Sequence, residues 1–284
     1  MRLSIHHETR YTYETAPSSV IEVLRLTPYN TANQSVRDWH LDVTGDAMLN
    51  RDEDAFGNVT HTFTLANPGH ELVIAATGTV ETEPTSGVVS GTRERLPLGL
   101  YLRETPLTAL TEEIEAFVAR ARASSDGSPL DRAHTLNRLV CEAVRFDEGA
   151  TTVTTSAAEA LAHGHGVCQD LAHVLCAAAR ADGLPARYVS GYQFAAGRAR
   201  DEHASHAWAE IFIDGLGWVS FDPTSGACTT DAYVRLAVGL DYLSASPVRG
   251  AVYGGSGEML NVDVSMEQAL WGTGSFGMQS QSIQ

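Results

Sequence analysis

Hydrophobic and polar residues alternate through the first third of the chain, which predicts strands. Residues 59–65 (VTHTFTL) alternate strictly, and residues 71–80 continue the pattern. β-Branched and aromatic residues also mark 10–13, 20–26 and 37–43 as strands, and 56–59 (FGNV) supplies a hairpin turn. No long helical period interrupts these runs. Residues 1–84 are therefore predicted to form an antiparallel β-sandwich.

The pattern then changes to helical spacing. Residues 85–104 are rich in Gly, Thr, Ser and charged residues, which is typical of a linker. Apolar residues recur at helical spacing in 108–123 and in about 130–146. Ser156 starts a short predicted helix, with Glu159 at the spacing of a capping box. A further helix over 171–181 ends at the sequence Gly-Leu-Pro of residues 183–185.

Strand patterns return after this helix. They cover 186–193, 204–213, 218–221, 233–238 and 259–264. Helices followed by an antiparallel sheet predict an α+β core over residues 105–270. Residues 271–284, rich in Gly, Ser and Gln, are expected to form a flexible tail.

Charge and composition narrow the classes of partner. The net charge of −16 argues against nucleic acid and anionic membrane surfaces, because both need a basic face. All 19 basic residues are arginine, so the chain has no lysine amine to donate in a crosslinking reaction. The first ten residues lack the apolar segment of a signal peptide, and no run has the length of a transmembrane helix. Four scattered cysteines form no dense disulfide framework, so a cytoplasmic location is expected.

One of these cysteines, Cys168, stands at the predicted start of a helix, in the segment 166–170 (GVCQD). A helix N-terminus carries about half a positive charge and unpaired N–H groups, both of which favour a thiolate. A preceding glycine allows a tight turn that leaves the sulfur uncovered. Cys168 is therefore the candidate nucleophile.

Two later segments supply a base and an orienting acid. His206 lies on the predicted strand 205–210 (SHAWAE), where it shares a face with Trp208 and Glu210. Asp222 ends the next strand, in 218–224 (WVSFDPT). The turn 214–217 joins these strands as a hairpin, so His206 and Asp222 are expected on adjacent strands. Nucleophile, base and orienter together follow the logic of a catalytic triad.

Each of these residues, taken singly, also fits a purely structural role. A single cysteine is more often structural, a histidine on a strand is often a core residue, and Asp-Pro often marks only a turn. The cluster of His163, His165, Cys168 and His173, with His203 and His206 later, also allows a zinc site. However, these side chains do not share one face of the predicted helix, and no second cysteine completes a familiar ligand set. A binding module without activity is a further alternative.

Together the motifs GVCQD (166–170), SHAWAEI (205–211) and GWVSFDPT (217–224) resemble the transglutaminase-like superfamily, in its bacterial branch with a β-rich N-terminal domain. Residues 183–192 (GLPARYVSGY), 234–239 (VRLAVG) and 247–250 (PVRG) add to this resemblance, which covers roughly residues 1–265. It implies a papain-like core from about residue 100, with Cys168 as nucleophile, His206 as base and Asp222 as orienting acid. The cysteine signature of papain itself is absent, so that link concerns architecture alone.

The expected reaction is acyl transfer from a peptide or protein amide through a thioacyl intermediate, without a cofactor or metal. Gln169 beside the nucleophile and Trp208 near the base are the candidate substrate-binding residues. Hydrolysis by a peptidase or amidase is favoured over transfer to an amine, because no feature of the sequence indicates paired crosslinking sites. Transfer from a glutamine side chain remains the alternative.

Overall fold

The N-terminal region folds into a sandwich of two antiparallel sheets. The computed structural model describes residues 1–269, apart from residues 46, 148, 150 and 196–204. The first strands are β1 (Arg2–Thr15), β2 (Ser19–Leu24), β3 (Gln34–Val43), β4 (Asn50–Glu53), β5 (Val59–Ala66) and β6 (Glu71–Thr82). Strand β6 alternates buried and half-buried residues along its length, as the alternating pattern of residues 71–80 predicts, whereas the burial along β5 alternates less regularly. The predicted turn at 56–59 lies between the paired strands β4 and β5.

The rest of the described chain places helices first and an antiparallel sheet afterwards. Its elements are β7 (Val88–Val89), α1 (Glu112–Ala123), α2 (Pro129–Ala143), β8 (Arg145–Phe146), α3 (Ala157–His163), β9 (His165–Gly166), α4 (Cys168–Ala181), β10 (Ala186–Gln193), β11 (Ser205–Ile213), β12 (Gly217–Asp222), β13 (Ala227–Cys228), β14 (Tyr233–Gly239), α5 (Tyr242–Ala245), β15 (Val248–Tyr253) and β16 (Ser256–Gln268). The α+β fold class predicted from the sequence is confirmed.

Helix α4 is the central element of the core. It is buried along nearly its whole length, and the other core helices pack around it on one face of the sheet β13-β12-β11-β10-β14. Ala207, Ala209 and Ile211, which alternate with His206, Trp208 and Glu210 along β11, face these helices. The predicted capping box of α3 is present, with Ser156 and Glu159 bonded to each other's backbone N–H groups.

Some element boundaries differ from the sequence prediction. Helix α1 begins at Glu112 and not near residue 108, because Thr111 caps it by accepting the N–H of Ile114, while 106–108 forms a separate 3-10 turn. Helix α2 ends at Ala143 because the following residues turn into β8, which pairs in parallel with β9. Within the predicted linker, β7 pairs with β12 of the core sheet. The predicted tail 271–284 lies outside the described residues.

The last two strands return to the N-terminal sandwich. Strand β16 pairs with β1, and β15 pairs with β2, so the two sheets have the orders β16-β1-β6-β3 and β15-β2-β5-β4. The core predicted over residues 105–270 includes β15 and β16. Their backbone hydrogen bonds, however, join these strands to the two sheets of the sandwich.

The sandwich and the core sheet also share buried side chains. Tyr192, Val234 and Leu236 of the core sheet belong to the apolar cluster of the sandwich. Polar bonds cross the same boundary: His7 bonds the hydroxyl of Tyr192 (2.8 Å) and Gln34 bonds the backbone of Arg235. No helix in the described ranges has the length and apolarity needed to cross a lipid bilayer.

Candidate active site

Cys168 is the first residue of α4, as the sequence predicted. The turn before it is fixed by Asp170, whose carboxylate accepts the Val167 N–H (2.8 Å) and the Thr151 hydroxyl (2.6 Å). A side chain at Gly166 would meet this carboxylate, since a Cβ there would lie 2.7 Å from Asp170 Oδ2. The glycine and the aspartate of the GVCQD motif therefore shape the loop that presents the half-buried thiol.

His206 and Asp222 lie at the same end of the β11–β12 hairpin. Ala209 pairs with Phe221 across these strands, which brings His206 at the start of β11 beside Asp222 at the end of β12. Imidazole Nε2 lies 3.0 Å from Asp222 Oδ2, and the Asp222 side chain is fully buried. The structure thus brings the predicted base and the predicted orienting acid into direct hydrogen-bonding contact.

Asp222 has further donors on both of its oxygens. Oδ1 accepts the N–H of Thr224 (2.9 Å) and its hydroxyl (2.7 Å). Oδ2, which binds His206, also accepts the hydroxyl of Tyr233 (2.7 Å). The amide of Gln193 in turn donates to the Tyr233 oxygen (2.7 Å). A carboxylate held by this many donors keeps both its charge and its orientation.

The titration behaviour of His206 links all three side chains. Burial of the ring opposes its charge, but hydrogen bonds to Asp222 and Cys168, together with their negative charges, raise the pKa of His206 from 6.5 to about 10. Burial opposes the charge of Asp222 as well, yet the bond and charge of His206 hold the pKa of Asp222 below its ordinary value. At neutral pH this geometry favours an imidazolium at His206 beside the Asp222 carboxylate.

The two predicted substrate-binding residues lie in different surroundings. Trp208 is 1% exposed, and its ring stacks on His206 (centroids 6.3 Å) and meets Tyr233 edge-on (5.5 Å). In this position Trp208 packs against the imidazole of His206, and its side chain has almost no exposed surface for contact with a substrate. Gln169 follows Cys168 as the second residue of α4 and is half-buried.

The histidines of the zinc alternative are spread over different environments. His173 is buried in α4, where its Nε2 accepts the N–H of Tyr242 (3.0 Å), and burial lowers its pKa to about 4. His163 and His165 stack on each other (5.8 Å) before α4 begins. Among the residues that the structure describes, no group of three His, Cys, Asp or Glu side chains has metal-binding geometry. His203 lies outside the described residues.

Sequence reasoning missed the residues that hold Asp222 and Trp208 in place. Thr224 stands inside the motif of residues 217–224, and its two-residue spacing from Asp222 is typical of an Asx turn, which is a local signal. Tyr233 and Gln193 gave no local signal, because strand pairing brings them to Asp222. Gly191 stands in the segment 183–192, but that segment gave no role for it; a Cβ there would lie 2.5 Å from the Trp208 ring.

Comparison with known families divides the chain into two matched regions. Residues 116–223 match the core of the transglutaminase-like superfamily, and residues 3–81 match the bacterial transglutaminase-like N-terminal region. The first region contains the Cys168, His206 and Asp222 positions. The second covers the strands β1–β6.

Relatives of similar length occur in mycobacteria. The protein ML0607 of Mycobacterium leprae, described as uncharacterized, is 29% identical over 280 residues, covering 94% of this chain and 98% of its own. Rv2569c of Mycobacterium tuberculosis, also described as uncharacterized, is 29% identical over 289 residues, covering 94% and 92%. Both relatives match the sandwich and the core together.

A solved structure shares the whole fold. It is a protein of Cytophaga hutchinsonii described as a "putative cysteine protease", which superimposes with a TM-score of 0.77 at 20% identity. The match covers 96% of this chain and 92% of the other. This likeness shows that the sandwich and the core occur in the same arrangement in that protein.

Proposed function

The chain carries a core of the transglutaminase-like superfamily and the bacterial transglutaminase-like N-terminal region, and from this premise we propose that it is a cysteine-dependent acyl-transfer enzyme acting on amide carbonyls. Cys168, His206 and Asp222 are the proposed catalytic residues. The observation that carries the proposal is the contact of His206 Nε2 with the fully buried carboxylate of Asp222 (3.0 Å), with Cys168 at the start of α4 as the second partner of the imidazole. Although burial opposes the charge of the ring, these two partners raise the pKa of His206 to about 10. A structural histidine buried without such partners titrates in the opposite direction, as His173 does.

In the proposed reaction the Cys168 thiolate attacks the amide carbon. His206 Nε2 is bonded to Asp222, so Nδ1 is the ring nitrogen left for the thiol and the leaving amine. The imidazolium gives its proton to the departing amine, and a thioester to Cys168 remains. Water then attacks the thioester while His206 takes its proton, which returns the acid and the free thiolate.

The first turn of α4 offers donors for the developing oxyanion. The N–H of Cys168 has no partner inside its own helix, because the first N–H groups of any helix lack one. A donor in this place, beside the positive end of the helix, stabilises negative charge on the carbonyl oxygen. Asp170 holds the preceding Val167 N–H, which fixes the direction of this turn.

We further propose hydrolysis, by a peptidase or amidase, as the main outcome. All 19 basic residues are arginine, so the chain offers no lysine amine of its own as acceptor. The acyl acceptor is then water or a separate amine. Cytoplasmic location belongs to the same proposal, since the four cysteines are free thiols, the state that a reducing compartment maintains.

The test is a screen of peptide and amide substrates that compares the wild type with Cys168→Ala. We expect turnover in the wild type and none above background in the variant. Cys228→Ala is the matched control, because Cys228 is a half-buried thiol on β13 outside the proposed triad, and it should keep full activity. Hydroxylamine added to the same reactions separates the two outcomes: hydroxamate in excess of free acid would reverse the preference for hydrolysis.

A labelling experiment needs no substrate. At pH 6, iodoacetamide should alkylate Cys168 faster than Cys141 or Cys228, whose thiols have pKa values raised by burial. Replacing His206 with Ala should remove the difference. Equal labelling of the three thiols in the folded wild type would contradict the proposal and favour a binding module without activity.

A further inference from the structure

The N-terminal sandwich is closed on one side and open on the other. Strands β16 and β15, which are consecutive in the chain, are the edge strands of the two sheets on one side of the sandwich. Strands β3 and β4 are the edge strands of the two sheets on the opposite side. A cavity of about 630 Å³ opens between these two edge strands. Its lining comes from β3, β4, β5, the segment after β2 and one residue near β7, and it includes Trp39, Leu41, Leu49, Arg51, His61 and Arg93.

The cavity has an apolar wall and a cationic rim. Trp39, Leu41 and Leu49 contribute apolar surface that is only half-buried, because no further strand covers β3. Arg51 and Arg93 contribute the charge, and the lining residues include no carboxylate. In a chain with a net charge of −16, such a cavity selects anions.

The two arginines are not equivalent. Arg93 already pairs with Glu53, and its guanidinium lies 5.3 Å from the centre of the Tyr29 ring. Arg51 has no carboxylate within ion-pair distance among the described residues, and it stands opposite His61 across the β4–β5 pair. Burial, and after it the charge of Arg51, lower the pKa of His61, which disfavours a second positive charge beside Arg51. Arg51 is therefore the unpaired cation of the cavity.

The wall also holds unused hydrogen-bonding capacity. The hydroxyl of Thr27, the indole N–H of Trp39 and Nδ1 of His61 are buried, and none of them has a partner in the part of the chain that the structure describes. Buried polar groups in folded proteins are nearly all hydrogen-bonded. The three atoms have almost no accessible surface, so a molecule in the cavity would contact the exposed Arg51 and the half-buried apolar side chains in their place.

We propose that this cavity binds an extended peptide segment carrying a carboxylate side chain between apolar residues. The carboxylate would pair with Arg51, and the apolar neighbours would lie against Trp39 and Leu49. An extended peptide fits better than a small anion, because the free edges of β3 and β4 offer backbone N–H and C=O groups with which a strand can pair. This site lies in the sandwich and uses none of the proposed catalytic residues.

Calorimetric titration with two matched peptides tests the proposal. The probes are acetyl-Leu-Glu-Leu-Val-amide and acetyl-Leu-Gln-Leu-Val-amide, added to the Cys168→Ala protein so that neither is turned over. We expect the glutamate peptide to bind about two- to fivefold more tightly at low salt, the effect of one partly screened ion pair. The preference should shrink as salt is added.

Arg51→Gln should bind both peptides equally. Its matched control is Arg37→Gln, because Arg37 is an exposed arginine on β3 that pairs with Glu81 and does not line the cavity. Both substitutions are on the surface, so the fold should persist in each, which a thermal melt verifies. Equal binding of the two peptides to the parent protein, or an equal loss in both arginine variants, would overturn the proposal. Absence of saturable binding would overturn it as well.

Discussion

At the scale of single residues, Asp222 shows how a buried charge is kept in one orientation. His206 and Tyr233 bind one oxygen, and Thr224 binds the other twice. Each donor removes part of the cost of burying the carboxylate, and together they leave no freedom to rotate. The direction of the imidazole is then set by the protein before any substrate arrives.

Tyr233→Phe tests whether this orientation matters for the thiol. The change removes one donor from Asp222 while Thr224 and His206 remain, so the free energy of unfolding should fall by about 1–2 kcal/mol. Iodoacetamide labelling of Cys168 at pH 6 should slow about three- to tenfold, because the imidazole is less firmly held. The exposed Tyr253 provides the control, and Tyr253→Phe should change neither quantity. Loss of stability with unchanged labelling would show that Tyr233 is structural only.

The raised pKa of His206 predicts how its contribution to stability depends on pH. A group with a higher pKa in the folded state stabilises the fold fully below its unfolded pKa near 6.5, and that stability is lost as pH rises through about 10. The difference in unfolding free energy between wild type and His206→Gln should therefore be largest at pH 6 and narrow steadily towards pH 10.

Urea unfolding at several pH values measures this difference. His40→Gln, at an exposed position on β3 outside the proposed triad, is the control with which the pH trend of His206→Gln is compared. A gap for His206→Gln that widened from pH 6 to pH 10 would show that the imidazole is neutral in the folded protein.

Among the residues of the candidate site, those with reactive side chains were the easiest to identify from the sequence. Cys168, His206 and Asp222 each stand in a motif whose local structure, a helix start or a strand end, shows directly. Tyr233, Gln193 and Gly191 act on the same site through strand pairing across β10, β11 and β14. Such pairing joins positions far apart in the chain, and no local pattern records it.

At the scale of elements, two strand glycines each make room for a tryptophan. Gly78 lies opposite Trp39, and a Cβ there would come within 2.5 Å of the indole ring. Gly191 does the same for Trp208, with the Val234 carbonyl only 2.2 Å from the missing Cβ. A glycine inside a strand normally weakens it, so close approach of another group is what accounts for both positions.

Gly191→Ala should consequently destabilise the protein by about 1–3 kcal/mol, the usual cost of inserting an atom into a packed interior. The displaced Trp208 ring would move against His206, so labelling of Cys168 should slow as well. Urea unfolding and iodoacetamide labelling measure the two effects. Gly99→Ala is the matched control, since a Cβ there meets nothing within 4 Å. Wild-type stability in Gly191→Ala would show that β10 and β14 can separate without cost.

At the scale of the whole molecule, the strand patterns were predictable but their partners were not. The alternation of residues 259–264 predicts a strand, and β16 contains it. Its pairing with β1 joins residues far apart in the chain, for example Leu3 with Gln268. The entropic cost of closing so long a loop is offset only when many residue pairs of the two strands form together. The local sequence of β16 therefore does not indicate which sheet edge it joins.

The shared interior leads to a prediction about cooperativity. Tyr192 and Leu236 pack inside the sandwich, and Gln34 donates to the carbonyl and accepts the N–H of Arg235. The sandwich and the core should therefore unfold in one transition, since neither keeps its interior without the other. Gln34→Ala leaves both backbone groups of Arg235 without these partners, which should cost about 1–3 kcal/mol.

Hydrogen exchange under increasing urea, followed by mass spectrometry of peptides, measures both halves in one experiment. Peptides from β6 and from β10 should lose protection at the same urea concentration, and Gln34→Ala should shift both midpoints equally. Asn33→Ala, one position earlier and before the start of β3, is the control for a substitution at this point of the chain. If peptides from β6 lost protection at a lower urea concentration than peptides from β10, the interface between the sandwich and the core would be too weak to couple their unfolding. The sandwich would then be an independent domain whose contacts with the core sheet contribute little to either.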